Sequence, residues 1–345
     1  MHLSRIESVD VVRVIAILAV IAVHTTPFET EGTPLGTAFD LATQVNLLAR
    51  FAVPFFFVVS GFFWGTKIHG GNRIAESSKK MSKRILTIFG AWSLIYLLPF
   101  NPATIAEQGS FGFVKIVYWN LSSIANDPIR FLFQGSSVHL WFLIGLLCCV
   151  AISAVLVAYN RVNLLIGLSI VLYAIGLFGK AYSDTPLGIH VDFNTRNGPF
   201  FGLVFFVSGY VLSSRQPHDS WFTKGLGLLL TGYIVQFAEL QFLRDRFGTS
   251  LLQDYTIGTY FLGLGSALMA LSNVTFLRVR GLGSSGSFVL GIYAIHLIFV
   301  DLLRPVNRLT SSPLWEVGNV FAVLILSFLV VYAMSKNRFT RAIVM

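Results

Sequence analysis

Ten apolar stretches, most of them long enough to cross a bilayer as a helix, run through this chain of 345 residues. They fall near 9–28, 42–65, 85–100, 138–159, 162–179, 195–214, 225–243, 253–273, 287–304 and 317–335, the third and fifth being short. A hydrocarbon core about 30 Å thick needs about 20 predominantly apolar residues per helical span. Backbone amides have no water to bond to in that core, so helices are the simplest way to satisfy them. Composition agrees. Hydrophobic residues make up 54% and charged residues only 12%, where soluble domains carry about 25% charged. With a mean hydropathy of +0.72 and 32 phenylalanines, a soluble enzyme, a disordered chain and a coiled coil are excluded. The expected fold is an all-α polytopic membrane protein with about ten transmembrane helices, forming a single integral-membrane domain over 1–345.

The N-terminal stretch differs from a cleaved signal peptide. Asp10 and Arg13 flank or interrupt it and no small-x-small site follows, so it is expected to be a retained first span. Placing the N-terminus inside the cell puts 15 of the 25 Lys and Arg in inner connections and 7 in outer ones. The inner set is Arg5, Lys67, Arg73, Lys79, Lys80, Lys83, Arg84, Arg161, Arg215, Lys224, Arg278, Arg280, Lys336, Arg338 and Arg341. Arg13, Arg50 and Arg196 fall in or at the ends of spans. That split satisfies the positive-inside rule and predicts both termini in the cytoplasm. The net charge of +9 is thus mostly a topology signal and gives no reason to expect nucleic acid as a partner. Cys148 and Cys149 are adjacent, badly placed for a disulfide and without metal spacing.

The longest outer connection, 101–137, holds Phe111, Phe113, Tyr118, Trp119, Phe131 and Phe133 with Pro102 and Pro128. This composition suits a segment lying at the membrane interface, as a lid or as a tether. A weak internal similarity links Phe57-Val58-Val59-Ser60-Gly61 to Phe206-Val207-Ser208-Gly209, each after an arginine and a proline, on spans expected to run in the same direction.

An ionisable group inside a span costs about 2.5–3.5 kcal/mol on insertion scales, so each needs a reason. The first span carries Asp10, Arg13 and His24. Eleven residues separate Arg13 from His24, about 16 Å of rise and about 20° beyond whole turns, so both lie on one face. Asp10 sits one turn before Arg13 and can pair with it. The stripe fits a fixed cation inside and a titratable base further out; it also fits two interfacial anchors. Arg50 lies near the outer end of the second span, and Ser60 precedes Gly61 in it. His139 and Trp141 open the fourth span, where an aromatic belt is also expected. Glu239 needs a partner such as Arg196 or His296. Tyr293 and His296 are three residues apart and can face one site, while Asp301 and Arg304, with the same spacing, suit a structural ion pair. P-loop, H-E-x-x-H, G-x-S-x-G and zinc-ligand spacings are absent from the sequence.

Together these residues resemble the membrane acyltransferase-3 family. The first span, from Arg5 through Asp10 and Arg13 to His24, is similar to that family's opening. Four further segments follow in family order: Val53-Pro54-Phe55-Phe56-Phe57 to Ser60-Gly61; His139-Leu140-Trp141-Phe142-Leu143; Phe205-Phe206-Val207-Ser208-Gly209; and Leu290-Gly291-Ile292-Tyr293-Ala294-Ile295-His296. The chain looks closest to the compact, stand-alone O-acetyltransferases, and Glu239-Leu240-Gln241 shares in that likeness. It ends soon after its tenth span, so the longer members' esterase-like domain is expected to be missing.

The resemblance implies a multi-pass protein of the bacterial inner membrane that moves acetyl from cytoplasmic acetyl-CoA to a hydroxyl of a surface polysaccharide or its lipid-linked precursor. No bound cofactor and no metal are implied; acetyl-CoA is the donor substrate, and glycan-assembly proteins are further possible partners. His24, Arg13 and Asp10 are the expected catalytic residues. Arg50, Ser60, His139, Trp141, Arg196, Glu239, Tyr293 and His296 are the expected substrate-binding ones. The stripe on the first span suits this chemistry. A cation at the inner mouth meets an anionic donor, a neutral histidine takes the proton of an attacking hydroxyl, and a cation or amide steadies the oxyanion. A transporter or flippase of a glycan or lipid-linked intermediate is the alternative that ten spans and buried charge also fit.

Overall fold

The computed structural model describes residues 6–28, 40–279, 281, 285–310 and 312–345, and every described regular element is helical. Arg5 and Arg280, both assigned to the inner side, lie outside the described residues. Each of the ten apolar windows contains a helix. Among the described residues, six segments are long and apolar enough to cross a membrane: Glu7–Thr25, Leu41–His69, Val138–Ala158, Ser220–Phe247, Gly286–Leu309 and Pro313–Lys336. Three shorter apolar helices, Val162–Phe178, Pro199–Leu212 and Ile257–Leu271, accompany them.

We number the helices α1 (Glu7–Thr25), α2 (Leu41–Ala49), α3 (Ala52–His69), α4 (Ile74–Ile95), α5 (Pro102–Glu107), α6 (Gly112–Asn126), α7 (Pro128–Gln134), α8 (Trp141–Ala158), α9 (Val162–Phe178), α10 (Pro199–Leu212), α11 (Ser220–Phe247), α12 (Ile257–Leu271), α13 (Val289–Leu309), α14 (Pro313–Lys336) and α15 (Arg338–Arg341).

Two boundaries differ from the sequence expectation. The window 42–65 is two helices, because Pro54 has no N–H to give the Arg50 carbonyl and the ladder breaks at Arg50–Phe51. The basic segment 67–84 is no loop. It is the end of α3, a short turn and the first half of α4. Ser78, Ile85, Ile88 and Trp92 are buried on one side of α4 while Lys79, Lys80, Lys83 and Arg84 stay exposed. This amphipathic half-helix carries too much charge to read as a span.

Reciprocal glycines set the centre of the bundle. A Cβ on Gly61 of α3 would fall 1.9 Å from the Phe206 carbonyl oxygen of α10, and one on Gly209 would fall 1.9 Å from that of Val58. Gly61 stands three residues after Val58, and Gly209 three after Phe206. The two similar segments therefore grip each other backbone to backbone, as small residues allow in membrane helices. The pairs Phe57–Phe201, Trp64–Phe206 and Trp64–Tyr210 advance together along both helices, so α3 and α10 run parallel. The antiparallel pair α11 and α12 uses the same device, Gly225 against Gly265 and Gly232 against Gly258.

The segment 101–137 folds into α5, α6 and α7. Gly112 is the only buried residue of α6, whose Phe113, Tyr118 and Trp119 are exposed. That surface agrees with an interfacial position.

Candidate active site

Helix α1 supplies the first part of the site. Arg13 Nη1 lies 2.8 Å from Asp10 Oδ1, and Asp10 is buried against Gly286. The guanidinium also sits 5.4 Å from the centre of the Phe63 ring. Three turns on, His24 stands in the last turn of α1, partly accessible.

His24 meets residues that sequence spacing alone could not bring to it. Its ring centre is 5.2 Å from that of His296 on α13, and His296 is 5.1 Å from His139. Tyr293 lies 5.3 Å from His139 and 6.0 Å from His296, and Tyr96, just after α4, stands 5.1 Å from His139. The tautomers follow from the acceptors. His139 Nε2 faces the Ala294 carbonyl at 3.2 Å, so that nitrogen donates and Nδ1 accepts from the Ser137 hydroxyl at 3.0 Å. His296 Nδ1 donates to the Tyr293 carbonyl at 2.7 Å. Its Nε2 keeps the lone pair and is fully buried without a hydrogen-bond partner among the described residues. Such a group normally costs about 1–3 kcal/mol, so it marks a strained or working position. The Tyr293 hydroxyl donates to the His139 carbonyl and holds α13 against the start of α8. Among the described residues no cluster of His, Cys, Asp or Glu is arranged to hold a metal ion.

Two adjoining cavities lead toward this cluster. One, of about 700 Å³, is lined by Arg13, Ser60, Lys67, Arg73, Lys80 and Arg84, with Trp64 and Glu76 among its walls. The other, of about 450 Å³, shares Arg13, Ser60, Met81 and Arg84 with it and reaches Phe142 and Tyr293. A basic mouth thus adjoins, across Arg13 and Ser60, a more apolar chamber lined by Tyr293, whose ring is 5.3 Å from His139 and 6.0 Å from His296. Of the basic residues on 67–84, Lys79 and Lys83 do not line it.

The remaining expected residues gather at the other end of α3. Arg50 Nη1 and Arg196 Nη1 lie 3.6 Å and 3.0 Å from Asp254 Oδ1, and Lys180 Nζ lies 3.1 Å from Asp254 Oδ2. Burial works against the charged form of Asp254, but Arg196, Arg50 and Lys180 outweigh it and hold the carboxyl below its ordinary value. The Arg196 guanidinium stacks 4.9 Å from the Trp141 ring centre. Trp141 is buried, so it is not part of an aromatic belt.

Glu239 requires a correction. Its carboxylate accepts from the N–H groups of Ile257 and Gly258 at 2.9 and 3.1 Å and from the Tyr182 hydroxyl at 2.7 Å. It pairs with neither Arg196 nor His296. The positive end of α12 satisfies it instead. Asp254, Lys180 and Arg84 were missed as site residues. The signal for Asp254 was available: Arg50 and Arg196 at span ends both needed a counter-charge.

The family model described as an acyltransferase domain matches residues 6–336, nearly the whole chain. This chain belongs to the acyltransferase-3 family. Two amino-acid racemases of Enterococcus faecalis are similar to it. One is 31% identical over 59% of this chain and 28% of its own length, the other 24% over 94% and 45%. A serine/alanine racemase of Enterococcus gallinarum is 25% identical over 68% of this chain and 33% of its own. The acyltransferase chain therefore spans less than half the length of these curated relatives, and their names describe larger proteins. No solved structure matches it.

Proposed function

We propose that this protein is an integral-membrane O-acetyltransferase of the bacterial inner membrane, with about ten spans and both termini in the cytoplasm. It takes acetyl from cytoplasmic acetyl-CoA and passes it to a hydroxyl of a surface polysaccharide or its lipid-linked precursor. One observation carries the reading: a basic-mouthed cavity runs past Arg13 and Ser60 to Tyr293, beside the histidine cluster. The phosphates of CoA suit Arg13, Lys67, Arg73, Lys80 and Arg84. The pantetheine arm follows the apolar chamber, and the thioester comes to the histidines.

His24 is the general base, since it is the partly accessible member of the three. It takes the proton of the acceptor hydroxyl as the oxygen attacks the thioester carbonyl carbon. The C–S bond breaks, the ester forms, and the CoA thiolate recovers the proton from the imidazolium. His296 and His139 hold the base in place. Asp10 fixes Arg13.

Mass spectrometry of surface polysaccharide from a deletion strain tests the reading. Acetylated glycan should vanish and return with the wild-type gene but not with His24→Ala. Loss of the whole glycan from the surface, instead of its acetyl groups, would identify a transporter.

A further inference from the structure

The cations around Asp254 are too many for it. Arg50, Arg196 and Lys180 all converge on that single carboxylate. Arg196 and Arg50 are mostly buried, with side chains 18% and 16% exposed. Arg50 Nε spends one donor on the Asn46 side chain at 3.0 Å, but Arg196 Nε is buried with no acceptor among the described residues. Among the described residues, other acids nearby do not close the balance. Glu239 is taken up by α12 and Tyr182. Asp192 shares a groove with Lys180 but is solvent-exposed. A surplus of buried positive charge at the end of a membrane bundle is costly unless an anion completes it.

Position says which substrate brings the anion. Arg50 and Lys67 stand at opposite ends of α3, about 25 Å apart along the helix. The phosphates of CoA belong at the Lys67 end, so the surplus at the Arg50 end serves the other substrate. Two adjoining grooves open beside it, sharing Asp192, Phe193 and Asn194. Asn194 Oδ1 accepts from the Arg196 backbone N–H at 3.1 Å, so the groove floor is continuous with the cluster. Phe133, Phe193 and Phe200 give stacking faces there, and Gln134, Asn197 and Gln253 give hydrogen bonds. These are the groups that grip a sugar.

We propose that this cluster seats the diphosphate of a polyprenyl-diphosphate-linked saccharide, so that the acceptor is the lipid-linked precursor and not the finished polymer. A diphosphate linkage carries a negative charge on each phosphate, matching three cations against one carboxylate. It also sits where a lipid tail meets its headgroup, at the ends of the apolar helices, as this cluster does. The sugar then lies in the groove with a hydroxyl toward His24. The proposal rests on the acyl-transfer reading above for the identity of the second substrate, but not for the existence of the site.

The test is binding of farnesyl diphosphate, a short isoprenoid diphosphate, to the purified full-length protein by titration calorimetry, with acetyl-CoA binding measured on the same samples. Farnesyl diphosphate should bind, and Arg196→Gln should weaken it about tenfold or more while acetyl-CoA binding persists. Lys180→Gln, milder because its side chain is 30% exposed, should weaken it several-fold and decides the matter if Arg196→Gln does not fold. Arg13→Gln should weaken acetyl-CoA alone. No binding of farnesyl diphosphate, binding indifferent to Arg196 and Lys180, or equal competition by galacturonate would each overturn the proposal. Failure of acetyl-CoA to bind the wild type would instead count against the donor reading.

Discussion

The imidazoles of His24 and His296 lie 5.2 Å apart, although α1 and α13 come from opposite ends of the chain. His296 is locked by its bond to the Tyr293 carbonyl and its second nitrogen is sealed from solvent, while His24 remains partly accessible. One ring is therefore furniture for the other, and the two should respond differently to substitution.

Replacing His24 by Ala should lower transfer by about 10²–10⁴-fold, the range a general base supplies. His296→Gln should cost less, because it disturbs the neighbour and not the base. Acetylated glycan measured by mass spectrometry in cells with equal amounts of each variant checks the order. Equal losses would make His296 a direct participant.

Arg13→Ala should weaken acetyl-CoA binding about tenfold or more, as for a lost charge-assisted hydrogen bond. Arg13→Lys should also be impaired, since the planar fork that reaches both Asp10 and the donor is gone. Titration of the purified protein with acetyl-CoA measures both.

Neutralising Lys67, Arg73 and Lys80 together should raise the KM for acetyl-CoA at low salt with little change in kcat. The effect should fade as ionic strength rises and the Debye length falls below about 10 Å. Neutralising Lys79 and Lys83, which do not line the mouth, should have a smaller effect. Labelling of cysteines placed in outer connections verifies that orientation is kept.

Gly61→Ala and Gly209→Ala should each destabilise the fold by about 1–3 kcal/mol or more, because the new methyl meets a carbonyl oxygen that belongs to a helix and cannot step aside. Thermal unfolding in detergent reads the loss. Gly227→Ala, open on all sides, is the control.

Glu239→Gln should lower stability by about 1–3 kcal/mol, since it removes the charge bonded to two N–H groups at the start of α12. The same thermal measurement checks it.

What was legible in the sequence was what repeats locally. The Asp10–Arg13 pair and the shared face of Arg13 and His24 follow from helical arithmetic within one span. The Asp301–Arg304 pair, 3.0 Å apart, followed the same rule. The parallel run of α3 and α10 followed from counting alternating spans along the chain. The histidine cluster was not legible as a contact, because its members come from three distant segments and only packing joins them. The setting of Glu239 was not legible because a carboxylate within an apolar run points to a charged partner, whereas backbone amides at a helix start satisfy it here. The basic half of α4 misled in the opposite way: charge concealed a helix.

Arg13 and His24 stand on one stripe of one straight helix, about 16 Å apart along its axis. In the proposed reaction the donor is held at the first and attacked at the second, so α1 works as a ruler laid beside the substrate. A truncated thioester can touch one mark or the other but not both. The length being measured is that of the pantetheine arm, which every acyl-CoA shares, so the ruler separates full CoA thioesters from truncated ones and leaves the choice of acyl group to the walls beyond His24.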